Sequence, residues 1–385
     1  MGQVFITSQT KDIFLKMIET KKLFKFLKKE RIEFFTGVPD SVLKTASSFL
    51  ESKKEKHFIT TNEGSSIAMA IGYYLATKKI PCVYMQNSGL GNAINPLISI
   101  SHKKVYSIPM LIIIGWRGAP GIKDEPQHNV KGKITKSILK LLNIKSVTLN
   151  NDKDFKKLKK LIKFSKINSV PVAILLKRNI LINNNSKLQK KISISDKIQR
   201  SDVIEILLKI IKKNTKLIAT TGFTSRELNQ IRLKKRTNKG NDFYMVGGMG
   251  HSSVLSLGVS TKTKHEVICL DGDGSFLMHL GSIVSIGKKS RKNFKHLLFN
   301  NFSHESVGGQ STNIDKVNIE KLIKSVGYKH YFLLKKKREI KNKLKIFLRK
   351  PGPSLLEVRI KIGSMKDLSR PKNLIKIKKN FVNSF

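Results

Sequence analysis

The stretch Leu270-Asp-Gly-Asp-Gly-Ser-Phe276 closes one apolar run, Val267 to Leu270, and opens another. Two carboxylates and two glycines at the end of a buried strand admit two readings. One is a tight turn capped by Asp and Gly. The other is a set of hard oxygen ligands for a divalent metal, with Gly272 and Gly274 letting a phosphate approach the backbone. A second polar pair, Asn300-Asn301, closes another apolar run about one helix and one strand later. Strand ends joined by a right-handed parallel crossover can be neighbours. Asp273 and the amide oxygen of Asn301 could then face one ion, with the backbone carbonyl of Ser303 as third oxygen. Such a set suits Mg²⁺, which takes a few protein oxygens and completes its shell with phosphate and water. The phosphate would lie on the N–H groups of Gly274 and Ser275. A third group, Glu63, ends the run Phe58 to Asn62 and opens a helix of small residues. Taken alone it reads as a first-turn carboxylate favoured by the helix dipole.

Placing these groups requires strands that end where they begin. Hydrophobic period and breakers predict strands at Ile32 to Phe35, His57 to Thr61, Pro81 to Gln86, Pro109 to Gly115 and Pro171 to Leu176. Helices are predicted from Lys11 to Lys29, Asp40 to Leu50, Gly64 to Thr77, Gly91 to Ser101, Thr135 to Leu142 and Asp154 to Ser165. Residues 181–200, rich in Asn, Lys, Ser and Gln, read as a linker. Beyond it, strands are predicted at Leu217 to Thr220, Phe243 to Val246, Val267 to Leu270, Lys295 to Phe299, His330 to Leu333 and Ser354 to Ile360, with helices between, one of them from Phe276 to Lys288. The expectation is α/β: two doubly wound parallel-sheet domains, residues 1–180 and 201–385. Ligands of such sheets sit beyond the carboxyl ends of the strands, where the polar clusters fall.

The 75 Lys and Arg against 26 Asp and Glu give a formal charge of +49, which raises the possibility of a basic nucleic-acid-binding protein. The excess is mostly Lys spread along helix faces beside Ile and Asn, with no zinc spacing, basic heptad region or aromatic RNA motif. Solvated surface and no specific nucleic-acid partner are expected. The longest apolar run, Met110 to Trp116, is far short of the ~20 residues of a membrane span. The amino terminus lacks the pattern of a secretory signal, so the expectation is cytoplasmic. Cys82 and Cys269 sit singly in strand-like runs and read as reduced core residues.

The GDG and NN pair, each after an apolar strand, resembles the signature of thiamine-diphosphate enzymes. The resemblance implies Mg²⁺ held by Asp273, Asn301 and Ser303, with the diphosphate on Gly272, Gly274 and Ser275. It also implies a protonated, desolvated Glu on the pyrimidine-binding domain, which Glu63 matches, and a wedge and carbonyl under the cofactor, which Met249 and Gly247 match in Val246-Gly-Gly-Met-Gly250. The two-domain layout and the stretches FFTGVPDSVLK (34–44), YMQNSGLGNAINPLISI (84–100), IGWRGAPGIKDEPQHNVKG (114–132), TTGFTSREL (220–228), HESVGGQST (304–312) and GSMKDLSRP (363–371) resemble the phosphonopyruvate decarboxylase family, with sulfopyruvate decarboxylases as relatives. Phe302-Ser303 and Glu305 depart from its pattern, where smaller residues and an Asp are expected. The implied reaction is decarboxylation of 3-phosphonopyruvate to phosphonoacetaldehyde and CO₂ in 2-aminoethylphosphonate synthesis. Asp40, Gln86, Asn87 and His128 are the implied catalytic residues beside Glu63, and Arg117, Lys123 and Arg226 the cations for the phosphonate. The resemblance further implies a homodimer or higher assembly with sites at the subunit interface. Other readings are a sulfopyruvate or other 2-oxo-acid decarboxylase, a carboligase, or a cofactor-binding subunit without activity.

Overall fold

The computed structural model describes residues 17–52, 57–182, 198–237 and 240–385. The chain divides into two compact units, Met1–Gln189 and Lys190–Phe385. In the first, a six-stranded parallel sheet runs in the order β3-β2-β4-β5-β7-β6. Its strands are β2 (Phe35–Gly37), β3 (His57–Ile59), β4 (Cys82–Gln86), β5 (Met110–Trp116), β6 (Lys145–Leu149) and β7 (Pro171–Lys177). Every residue of β5 is buried, because a parallel strand is covered by helices on both faces. Side chains alternate between the layers: Cys82, Tyr84, Leu111 and Ile113 join one cluster, and Val83, Met85, Met110, Ile112 and Ile114 the other. A short parallel pair, β1 (Ile18–Glu19) with β8 (Leu181–Ile182), stands apart from this sheet.

The second unit repeats the scheme in the order β10-β9-β11-β12-β14-β13, again wholly parallel. Its strands are β9 (Lys216–Ala219), β10 (Asp242–Tyr244), β11 (Val267–Gly272), β12 (Phe294–Asn300), β13 (His330–Leu334) and β14 (Ser354–Arg359). The strands carrying the two polar motifs, β11 and β12, are adjacent, and Gly272 pairs with Phe299. The crossover read from the spacing is therefore present.

Several boundaries differ from expectation for local reasons. The helix expected from Asp40 begins at Lys44, because the Asp40 carboxylate takes the N–H groups of Val42 and Leu43 in a turn. The helix expected from Thr135 begins at Pro126, whose missing N–H and fixed φ suit a first helical position. The helix expected over Phe276 to Lys288 is two pieces, Asp273–Met278 and Ser282–Lys289. The edge strand β6 and a final helix, Leu374–Val382, were not anticipated. Of the helix expected over Lys11 to Lys29, the portion before Met17 lies outside the described residues, and Thr20–Lys29 is helical. Most of the expected linker, residues 183–197, also lies outside them, while Leu181–Ile182 is a strand and Arg200 opens a helix.

Candidate active site

At the carboxyl end of β11 the chain turns directly into the helix Asp273–Met278. Asp273 Oδ1 accepts the N–H of Gly274 at 3.0 Å, and its Oδ2 accepts the Ser303 N–H and the Thr312 hydroxyl, each at 3.1 Å. Asn301 Oδ1 accepts the same Ser303 N–H at 3.1 Å, so the carboxylate and amide oxygens converge on one point. Burial pushes the Asp273 carboxyl up to about 7, against the pull of these donors and of Arg200. Phe302 makes the bend that aims Ser303 back: its φ is +61°, a left-handed conformation costly for a bulky residue. Two contacts support it, Asn300 Oδ1 accepting the Phe302 N–H at 3.1 Å and the Arg359 guanidinium 4.4 Å over its ring. Smaller residues would meet less strain there.

The turn after β10 closes on the same corner. The Gly250 N–H donates to Ser275 Oγ at 3.1 Å, and the hydroxyls of Ser275 and Thr220 are 2.9 Å apart. A Cβ on Gly274 would stand 2.8 Å from His304 Nδ1 and 3.2 Å from Met249 Cε. Met249 is thus half-buried over the glycine rather than lost in the core, with Gly247 two residues before it. Behind Asn301 lies a buried ionic group, in which Arg200 reaches Glu227 at 3.4 Å and Glu305 at 3.2 Å. Arg226 donates to the Leu368 carbonyl. A further buried grouping, Cys269, Asp271 and His296, has ligand atoms within 4.8 Å of one another. It is a core network: Asp271 accepts from Ser252 and the Gly272 N–H, His296 pairs with Tyr328, and burial keeps the Cys269 thiol protonated.

In the first unit Glu63 opens the helix Glu63–Thr77 behind an Asn62 cap that accepts the Ser65 N–H at 2.9 Å. Its side chain is buried, and Asn92 Nδ2 donates to Oε2 at 2.7 Å. Gly89 packs on the carboxylate so closely that a Cβ there would lie 2.3 Å from Oε1. Asp40, wholly buried, takes the N–H groups of Val42 and Leu43 and the Gln86 amide, and burial raises its carboxyl above the usual range. Asn87 is committed to the Arg117 carbonyl and the Thr135 hydroxyl at 2.9 Å each, and its oxygen accepts the Arg117 N–H. Arg117 forms a two-pronged pair with Asp124 and donates to Ser41 Oγ. Burial opposes ionisation of Asp124, yet the guanidinium and two backbone N–H groups hold its carboxyl well below the usual range. Lys123 is exposed, and His128 is half-buried in the first turn of the helix Pro126–Leu141.

Residues 20–138 match the N-terminal TPP binding domain of thiamine pyrophosphate enzymes, and residues 220–358 match the C-terminal TPP binding domain. Over 355 residues, 87% of each chain, the sequence is 31% identical to the phosphonopyruvate decarboxylase of Streptomyces viridochromogenes. The chain belongs to the thiamine-diphosphate-dependent decarboxylase family. The phosphonopyruvate decarboxylase of Streptomyces hygroscopicus is 32% identical over 355 residues, 87% of this chain and 86% of that one. The sulfopyruvate decarboxylase of Methanosarcina acetivorans is 26% identical over 311 residues, 76% and 78% of the two chains. Among the described residues of this decarboxylase, no helix is long and apolar enough to cross a membrane.

The decarboxylase's donor set fits the group its family uses. The oxygens of Asp273 and Asn301 are the hard ligands that Mg²⁺ takes, and the Ser303 hydroxyl beside them is buried without a partner. Arg200 contacts Glu227 and Glu305, and burial raises the carboxyls of both Asp273 and Glu227, a cost of ionisation that a cation beside Asp273 would offset. Partners that the sequence did not single out are Asn92 and Gly89 around Glu63, Asp124 on Arg117, and Thr312 on Asp273. The first two lie within the 84–100 stretch, which holds no carboxylate, so their contact with Glu63 is a product of the fold that the sequence does not display.

Proposed function

We propose that the chain decarboxylates 3-phosphonopyruvate to phosphonoacetaldehyde and CO₂, with thiamine diphosphate and Mg²⁺, as a step in 2-aminoethylphosphonate synthesis. The observation that carries this reading is the convergence of Asp273 and Asn301 on Ser303 in a chain that matches the two Streptomyces phosphonopyruvate decarboxylases over most of its length. Bound thiamine diphosphate supplies a nucleophilic carbon and an electron sink for the departing carboxylate. Asp273, Asn301 and the Ser303 carbonyl would hold the metal, and Gly272, the Gly274 and Ser275 N–H groups and the adjoining helix start would hold the diphosphate. Met249 and the Gly247 carbonyl would shape the seat of the cofactor's rings.

Glu63, kept out of water and oriented by Asn92, would hold a proton at the aminopyrimidine. Asp40, held toward its neutral form by burial and hydrogen-bonded by Gln86, and His128 are the groups proposed to return a proton to the product. Asn87 fixes the Arg117 backbone and acts through it. Arg117, Lys123 and Arg226 are the cations proposed for the phosphonate. Arg117 already shares its fork with Asp124, which leaves Lys123 the most accessible of the three. We also propose a homodimer as the smallest active assembly. The test is aldehyde release from 3-phosphonopyruvate and 3-sulfopyruvate compared side by side. A higher kcat/KM for the phosphonate supports the reading. A higher value for the sulfonate transfers it to the activity named for the Methanosarcina relative.

A further inference from the structure

We propose that Glu305 is a positioning residue that fixes which end of the Asn301 amide faces the metal. The inference rests on the reading of Asp273 and Asn301 as metal ligands. An Asn side chain is nearly symmetric in shape, with an oxygen that binds a cation and an NH₂ group that repels one. Nothing in its packing volume chooses between them. A carboxylate oxygen that takes the amide N–H chooses, because it leaves only the amide oxygen to face the other way. Asn301 Nδ2 donates to Glu305 Oε2 at 2.9 Å, which turns Oδ1 toward the Ser303 N–H, where Asp273 Oδ2 also converges.

Glu305 is itself held from two further directions. Arg200 reaches the same Oε2 at 3.2 Å, and the Gly363 N–H donates to Oε1. Gly363 opens an irregular segment that side chains of the helix Phe223–Lys234 tie down. Glu227 accepts the Met365 N–H at 3.0 Å, Gln230 donates to the Lys366 carbonyl at 3.2 Å, and Arg226 donates to the Leu368 carbonyl. The carboxylate at 305 therefore has little freedom to rotate, and the orientation it imposes on Asn301 is rigid. Partners of this kind orient metal ligands and typically change metal affinity about 10–100-fold when removed.

The experiment measures Mg²⁺ affinity by titration calorimetry on the full chain with saturating thiamine diphosphate, for Glu305→Gln, Asn301→Asp, the double variant and Asp273→Ala. Glu305→Gln should weaken Mg²⁺ about 10–100-fold, since a Gln can offer Asn301 either end of its amide. At saturating Mg²⁺ its kcat should recover. Asn301→Asp alone sets two carboxylates face to face and should bind Mg²⁺ more weakly than wild type. Combined with Glu305→Gln, the amide at 305 donates to the new carboxylate, and affinity should rise at least tenfold over Asn301→Asp alone. That gain is a result a damaged fold does not imitate. Wild-type Mg²⁺ affinity in Glu305→Gln, or a double variant no better than Asn301→Asp, overturns the proposal. Wild-type affinity in Asp273→Ala overturns instead the metal-site reading beneath it.

Discussion

Gly89→Ala isolates the placement of Glu63 without touching its chemistry. The new Cβ would stand 2.3 Å from Oε1, 2.4 Å from Cγ and 2.5 Å from Cδ of Glu63. Restoring an ordinary 3.4 Å contact takes a displacement of about 1 Å, and the carboxylate is the softer partner, because Gly89 belongs to the backbone turn Asn87–Gly89 that joins β4 directly to the next helix. A misplacement of about 1 Å at a reacting group costs roughly 10²-fold in rate. If the chain resists instead of yielding, the overpacking appears as about 1–3 kcal/mol of lost stability. We expect kcat to fall about 100-fold, with a matching slowing of hydrogen-deuterium exchange at C2 of the bound cofactor and little change in its affinity. Gly91→Ala is the control, since a Cβ there meets nothing within 4 Å, and helix propensity favours it by up to ~1 kcal/mol. Wild-type turnover and exchange in a folded Gly89→Ala protein would refute the claim that the position of Glu63 governs the reaction.

Dialysis against a chelator should abolish turnover, and thiamine diphosphate with Mg²⁺ together, but neither alone, should restore it. Glu63→Gln and Asp273→Ala chains, each nearly inactive, should regain activity when mixed and allowed to exchange subunits; no recovery despite proven exchange would show that both residues of one centre come from one chain. His57 is pushed down to about 4 from 6.5 by burial, with its Nε2 2.8 Å from the Tyr84 hydroxyl. A folded value below the unfolded one means that the neutral form is favoured in the native state, so stability present above pH 6.5 should be lost as pH falls from 6.5 toward 4. Urea unfolding at pH 7 and pH 5 should show a smaller loss in His57→Gln than in wild type. Binding to DNA, where it occurs, should be weak and fall steeply with salt through counterion release; tight sequence-selective binding at physiological salt would contradict the reading of the surface charge.

The two sheets were legible in the sequence because each strand is a short apolar run ending in polar residues, and the convergence of Asp273 and Asn301 was legible because they stand at strand ends one crossover apart. What escaped the sequence was set by other forces. β6 reads Lys-Ser-Val-Thr-Leu, too polar for a buried strand, and its edge position explains that composition. The break between Met278 and Ser282 falls at Gly281, a lone glycine that a helix can tolerate, so the sequence pattern alone did not mark it as an end. Asp124 was not singled out in the sequence, yet it is the counter-ion of Arg117, and that pairing depends on how a loop folds rather than on spacing.

Every strand pair in both six-stranded sheets is parallel. No hairpin can form first and recruit the rest, since each pairing must wait for a crossover of a dozen or more residues to close. Such chains pay loop entropy before contacts reward it and fold slowly, with apolar strand edges open in the meantime. β11 and β12 sit in the middle of their sheet, so the polar corner at their ends takes shape only after the inner crossovers have closed. A metal and cofactor that bind this corner and not the unfolded chain would act late on the folding path, raising stability by mass action rather than guiding the first pairings.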